Sequence, residues 1–366
     1  MSRRPRTPLP ACHSKEALRR EMVEDGFPGV EAVAEFAGVD RVRFDTEIQP
    51  VGEPVILRGL VSDWPLVQAG RQGSTDLADH LKAVAPDCPV RTFRQPNAAG
   101  TRFFYKPDFS GFTFDVETPP LSELLDGLLA GALQDSALDD AVFAGGVPVR
   151  DALAPIARDN PMPLLDPAVE RLTSLWIGNR TRTAPHWDLP QNLACAISGR
   201  RRFLLFPIEQ LANLYIGPLD LTLAGQPVSL VDPREPDLER FPRFPEAMRH
   251  ARVAELEPGD ALYMPSMQVH YVETLDPFGV MMNFWWRDGP EHLATPFMTL
   301  LHGLLTLRGM PARERQAWKL IFDRYLFQDD EDPMDHLPAT ARGLFGDPTP
   351  ENLARIRAIL GRSLGR

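Results

Sequence analysis

From about residue 172 to 287 the chain is a succession of short stretches that are apolar or alternate in polarity. They read RLTSLWIGN, QNLACAIS, RRFLLF, RVAEL, DALYMP, HYVETL and FGVMMNFWW. Turn chemistry separates most of them, with SGR (198–200) and EPGDA (257–261) as the tightest punctuation. Strands this short and this regularly spaced close into a sandwich or barrel of the jelly-roll kind. The 37 prolines are spread along the chain, which suits short elements joined by turns better than a helical bundle.

The flanks have a different texture. Residues 1–40 read as a partly disordered arm with a short helix near 15–38. EPVILRGLVSDWP (53–65) is a buried strand running into a turn, and STDLADHLKAVA (74–85) is a helix with Ser74 or Thr75 as its N-cap. PVRTFRQ (89–95) and TRFFYK (101–106) flank PNAAG as a hairpin, and helices are expected near 120–131 and 149–159. After 290 apolar residues recur every three to four positions in HLATPFMTLLHGLLTLR, ARERQAWKLIFDRYLF and ENLARIRAILGRSL, the pattern of amphipathic helices. The reading is therefore a mainly β, α+β chain: an arm (1–40), a domain (41–290) with its barrel at 172–287, and a helical module (291–366). The module either covers the barrel or makes a homodimer through faces such as Phe297, Leu300, Leu301 and Leu304.

Composition narrows the partners. A net charge of −11 argues against nucleic acid, and the basic start MSRRPR is too short to outweigh it. No run approaches the roughly 18 apolar residues of a membrane helix, and the first residues lack the apolar stretch of a secretory signal. Three widely spaced cysteines, Cys12, Cys88 and Cys195, make neither a disulfide framework nor a zinc cluster, so a cytoplasmic setting is expected.

Three polar residues then stand out against the β region: His186 and Asp188 in APHWDLPQN, and His270 inside DALYMPSMQVHYVETL. Alternate residues on a strand point to one side, so His-x-Asp can offer both side chains to one ion. A jelly roll can bring a distant strand carrying His270 to the same mouth. Two imidazoles and one carboxylate are the facial ligand set of non-haem Fe(II), with three positions left open. Each residue also has a plainer reading. His270 alone is a satisfied core histidine, and Asp188 before Leu-Pro is a turn residue. His13, His80, His250, His292, His302 and His336 read as surface or helix residues without a carboxylate partner in a strand.

Taken with ISGRRRFLLFP (197–207), LEPGDALYMP (256–265) and NFWW (283–286), the triplet resembles the JmjC-type, cupin-like oxygenases. Within them the chain is most similar to bacterial relatives of the asparaginyl hydroxylase of the hypoxia-inducible factor. PVILRGLVSDWP (54–65), LWIGN (175–179) and PDLERFPRFPEA (236–247) extend the similarity over roughly 40–290, and the helical tail also resembles that family's end. The resemblance implies a double-stranded β-helix core, Fe(II), the co-substrate 2-oxoglutarate, O2, and hydroxylation of a protein or peptide side chain. Residue by residue, it implies His186, Asp188 and His270 as iron ligands and Thr183 as a hydroxyl for the far carboxylate of 2-oxoglutarate. It implies Asn192 and Asn283 as amides on the co-substrate and oxygen side, and Trp285 as an aromatic beside the metal.

Three departures qualify what the resemblance implies. Arg201 stands where the hydroxylase has a lysine, within Arg200-Arg201-Arg202, so it either clamps a carboxylate or belongs to a row of arginines facing solvent. Gln268 and Val269 replace the tryptophans that often precede the third ligand, and Phe143 falls near a co-substrate tyrosine and lacks its hydroxyl. Tyr105, in FFYKP, is another candidate for the pocket wall, against a plainer reading, which is favoured, as a core-packing residue. Two further readings stay open: a hydroxylase of a small molecule or free amino acid, and a non-catalytic cupin that binds a ligand or partner.

Overall fold

The computed structural model describes residues 27–134, 140–290, 293, 295–328 and 330–364. In chain order the strands are β1 (Glu31–Ala32), β2 (Ala34–Ala37), β3 (Val55–Arg58), β4 (Thr92–Gln95), β5 (Asp115–Glu117), β6 (Ala141–Pro148) and β7 (Arg171–Gly178). They continue with β8 (Arg182–Trp187), β9 (Gln191–Ser198), β10 (Arg201–Phe206), β11 (Arg252–Leu256), β12 (Ala261–Met264), β13 (Val269–Thr274) and β14 (Gly279–Trp286). They form a five-stranded sheet ordered β1-β11-β10-β13-β8 and a nine-stranded sheet ordered β2-β3-β12-β9-β14-β7-β6-β4-β5. Consecutive strands such as β10 and β11 stay in one sheet, while β8, β9, β12 and β13 alternate between the two, as a jelly roll requires. All seven expected strand stretches between 171 and 286 are strands.

Alternation decides what each face does. On β9 the odd-numbered Leu193, Cys195 and Ile197 point out, packing with Leu66, Leu77, Leu81, Leu124 and Leu125 from the helices Pro65–Gln72, Ser74–Val84 and Leu121–Gln134. The even-numbered Ala194 and Ala196 point in, towards Phe203, Leu205, Leu256, Leu262, Met264 and Met281. Each buried large aliphatic side chain contributes about 1.5–3 kcal/mol. The small alanines on the inner face leave room for a cavity. Outside the smaller sheet, Leu204, Phe206, Val269 and Tyr271 pack under the 208–250 connection against Leu214, Val231, Phe241 and Phe244.

The turn at 198–200 depends on its glycine. Gly199 has φ +71°, and a Cβ there would meet the Phe278 carbonyl oxygen at 2.6 Å.

Several expectations change. The helix near 15–38 falls outside the described residues up to 26. Residues 27–30 form a turn, with the Val30 N–H donating to the Phe27 carbonyl and Gly29 at φ 79°, and from 31 to 37 the chain runs as strand, pairing in parallel with β11 and then β3, before Gly38 at φ 62° ends it. The hairpin of 89–95 with 101–106 does not form. β4 pairs instead with β5 and β6, while Arg102 bridges Arg182 and Tyr105 bridges Phe112. The helix at 74 is preceded by Gly73 as N-cap rather than starting from a Ser74 or Thr75 cap, and no side chain caps it.

The chain divides into two compact units, one ending at Asp288 and one beginning at Gly289. The second carries the helices Pro296–Thr306, Ala312–Leu326 and Pro350–Leu364. No described helix is long and apolar enough to cross a membrane.

Candidate metal centre

β8 and β13 are neighbours in the smaller sheet, and their antiparallel register sets His186 directly opposite His270. The two imidazole ring centroids lie 4.3 Å apart. Sequence reasoning treated His186 and Asp188 as alternate residues of one strand, but β8 ends at Trp187, so Asp188 sits in the short connection to β9. Its Oδ2 is 3.7 Å from His270 Nε2. One ligand atom from each of His186, Asp188 and His270 lies within 4.8 Å of the others, the one such trio of metal-ligating side chains among the described residues.

The backbone orients both rings. His186 Nδ1 is 2.9 Å from the Ala184 carbonyl oxygen and His270 Nδ1 is 2.9 Å from the Gln268 carbonyl oxygen. A carbonyl only accepts, so each Nδ1 carries the proton and each Nε2 keeps its lone pair for a ligand bond. Burial pushes the His270 pKa down to about 4, with His186 adding to the fall and Asp188 opposing it, so the ring is neutral at neutral pH. Two imidazoles that turn Nε2 towards one point, with a buried carboxylate beside them, suit a divalent transition ion. Elsewhere, His250 does have a carboxylate partner, Glu246, but one helical turn away on the surface.

These side chains line a cavity of about 50 Å³ that also presents Thr181, Thr183, Asn192, Arg201, Thr274, Asn283 and Trp285. At roughly 10–15 Å³ per water-sized centre, such a space takes a few small groups and not a folded segment. Phe143, Phe203, Met264, Val272 and Met281 supply its apolar wall.

Arg201 is the unusual member. It is 2% exposed, while its neighbours point away: Arg200 pairs with Asp276, and Arg202 with Glu255 and Glu273. Arg201 Nη1 donates to Thr274 Oγ1 at 3.0 Å and Nη2 to the Trp176 carbonyl oxygen at 3.3 Å. Its Nε is buried without a partner, and no carboxylate answers its charge among the described residues. Burial pulls its pKa down to about 10, which leaves it a cation at neutral pH. A buried uncompensated cation in the same cavity as a metal triad is the counterpart of a small anion.

The amides are ordered by a tryptophan. Trp176 Nε1 donates to Asn283 Oδ1 at 2.7 Å, so the Asn283 NH2 group faces Asn192 Oδ1, 3.4 Å away. Trp285 stands edge-on to Trp176, with centroids 5.8 Å apart, and its Nε1 is buried without a partner.

The structure thus brings together His186, Asp188, His270, Thr183, Asn192, Arg201, Asn283 and Trp285. It does not bring Tyr105, whose hydroxyl donates to the Leu221 carbonyl at 2.7 Å while the ring packs with Ala184 and Val228. Phe143 does line the cavity. Gln268 and Val269 do not: Gln268 Nε2 donates to the Phe206 carbonyl, and Val269 is buried on the far side of the sheet. Thr181, Trp176 and Thr274 were missed. Thr274 was findable, since it follows His270 and Val272 in steps of two on β13 and so shares their inner face.

A family model described as a cupin-like domain matches residues 41–292. Human HSPB1-associated protein 1 is 39% identical over 125 residues, which is 33% of this chain and 25% of that protein. Chicken tRNA wybutosine-synthesizing protein 5 is 28% identical over 278 residues, 69% of this chain and 76% of that protein. The lysine-specific demethylase JMJ31 of Arabidopsis thaliana is 28% identical over 131 residues, 34% of this chain and 23% of that protein. The match therefore spans only about a quarter of the HSPB1-associated relatives.

Proposed function

The chain belongs to the cupin-like domain family, and from that premise we propose that it is an Fe(II)- and 2-oxoglutarate-dependent oxygenase that hydroxylates a protein or peptide side chain. The observation that carries this reading is Arg201, a buried cation without a counter-charge in the cavity that holds the triad. Kinship with relatives named as a demethylase and a wybutosine-synthesizing protein supports the oxygenase class.

His186 Nε2, His270 Nε2 and the Asp188 carboxylate would hold the ion. When bound, Fe(II) supplies the redox chemistry by which O2 is reduced, 2-oxoglutarate leaves as succinate and CO2, and one oxygen atom goes to the substrate. The protein's own part is binding and orientation. Arg201 receives the far carboxylate of 2-oxoglutarate, with the Thr183 hydroxyl beside it and Thr274 steadying the guanidinium. Trp176 fixes the Asn283 amide, and Asn192 with Asn283 then offers donors on the metal side. The apolar wall keeps bulk water from the reacting atoms.

The cavity is too small to take a protein surface, which favours a single residue presented at its mouth. A free amino acid or other small molecule presented at the mouth is the alternative. A tRNA nucleoside is a second reading, motivated by the relative matched along most of both chains; the net charge of −11 opposes it. A cytoplasmic setting, consistent with the free thiols Cys88 and Cys195, and a homodimer through the helices after 290 belong to the same proposal.

The test is O2-dependent conversion of 2-oxoglutarate to succinate by the Fe(II)-loaded protein, offered peptide, amino-acid and tRNA pools in separate arms. The arm that stimulates succinate release and gains one oxygen atom by mass spectrometry identifies the substrate class. No succinate in any arm, with His186→Ala indistinguishable from wild type, overturns the oxygenase and leaves the non-catalytic cupin.

A further inference from the structure

The turn between β12 and β13 does more than connect strands. Pro265, Ser266, Met267 and Gln268 form a tight turn closed by the Gln268 N–H donating to the Pro265 carbonyl at 3.2 Å. Its third residue, Met267, has φ +67°. That is the left-handed region, where such turns take glycine or asparagine and where other side chains are strained. The strain is held by bonds that cross to the other metal-bearing segment. The Met267 N–H donates to the carbonyl of Asp188 at 2.9 Å, and the Ser266 hydroxyl donates to the carbonyl of Leu189. The same turn ends in Gln268, whose carbonyl accepts from His270 Nδ1, while its own amide is tied to the carbonyls of Phe206 and Val269.

One four-residue turn therefore touches the backbone of both Asp188 and Leu189 and orients the His270 ring. Asp188 needs such support because it lies beyond the end of β8, where the ladder to β13 no longer fixes it. We propose that Ser266 and Met267 are positioning residues that set the separation of the Asp188 carboxylate from His270, and so the metal affinity of the triad. The inference rests on the metal-centre reading given above. An observed backbone outlier beside a candidate site, held by cross-bonds to a ligand's own carbonyl, is strain put to use in pre-organising that site.

Ser266 is exposed, so removing its hydroxyl leaves the fold intact. The test is Co(II) titration of the apo protein, followed by visible absorption and calorimetry, for wild type, Ser266→Ala and Ser266→Thr, with apo melting temperatures alongside. Ser266→Ala is expected to bind Co(II) about tenfold more weakly and with an altered ligand-field spectrum. Ser266→Thr, which keeps the hydroxyl, is expected to restore both, and all three apo proteins are expected to melt together. Wild-type Co(II) affinity and spectrum in Ser266→Ala overturn the positioning role. Failure of wild type itself to bind Co(II) overturns the metal centre, a different and separately visible outcome.

Discussion

Replacing Arg201 by methionine separates a ligand-binding role from a structural one, because the two roles move stability in opposite directions. The guanidinium is buried, its Nε has no partner, and burial pulls its pKa well below the ordinary arginine value, to about 10. At about 1.4 kcal/mol for each pKa unit, the charged form is disfavoured by about 3 kcal/mol in the empty pocket. Methionine removes that cost and keeps most of the volume, but leaves the Thr274 hydroxyl and the Trp176 carbonyl without their donor, returning about 1–2 kcal/mol. The net expectation is an apo protein more stable by about 1–2 kcal/mol, which raises the melting temperature by a few degrees at roughly 2–4 °C per kcal/mol. Co-substrate binding goes the other way. Losing charge-assisted hydrogen bonds to a carboxylate costs about 3 kcal/mol, on the order of a 100-fold weaker dissociation constant. The assay is calorimetric titration of the Mn(II)-loaded protein with 2-oxoglutarate, together with thermal melts with and without it. A variant that melts lower than wild type and binds 2-oxoglutarate within threefold of it refutes the reasoning and makes Arg201 a structural residue.

Thr274→Val removes the hydroxyl that accepts from Arg201 Nη1 while keeping the shape, so 2-oxoglutarate binding weakens roughly tenfold and Co(II) affinity is unchanged, both read by calorimetry. Gly279→Ala places a Cβ 2.5 Å from Thr274 Cγ2; the displaced threonine is expected to cost about 1–3 kcal/mol in a urea melt and to weaken 2-oxoglutarate binding as well. Glu273 tests the electrostatics behind β13. Burial alone raises its pKa, but hydrogen bonds from Arg234 and Tyr271 and the charge of Arg202 bring it below the ordinary carboxylate value. A depressed folded pKa gives stability that is present above the unfolded value of 4.5 and is lost as pH falls through the folded one. Glu273→Gln should therefore be less stable at neutral pH and show a flatter decline on acidification, measured by urea midpoints from pH 7 down to pH 3.

The β core was legible because its strands carry their own punctuation. SGR and EPGDA place turns where the backbone needs them, and QNLACAIS alternates between outward Leu193, Cys195 and Ile197 and inward alanines. β8 was harder, since RTAPHW is short, half-polar and contains a proline, so its strand character comes from pairing with β13 rather than from its own pattern. The false hairpin at 89–106 shows the converse: both segments look like strands, but tertiary partners outbid the local turn. Within the site, the triad and both asparagines were accessible from spacing and resemblance. The resemblance singled out Arg201, but the pattern did not say whether it faces inward or to solvent, because β10 is apolar on both faces: Phe203 and Leu205 on one, Leu204 and Phe206 on the other. Tyr105 misled because a tyrosine in an aromatic run says nothing of where its hydroxyl is spent, and here it is spent on Leu221.

The claim on which all of this depends is that His186, Asp188 and His270 hold iron in a pocket that also takes 2-oxoglutarate. Anaerobic addition of Fe(II) and then 2-oxoglutarate tests it directly. A weak visible charge-transfer band should grow in to one equivalent of each. It should be absent from His186→Ala, and absent or much reduced at the same 2-oxoglutarate concentration in Arg201→Met. A wild-type protein that shows no band at saturating Fe(II) and 2-oxoglutarate, or one whose band persists in His186→Ala, contradicts the account.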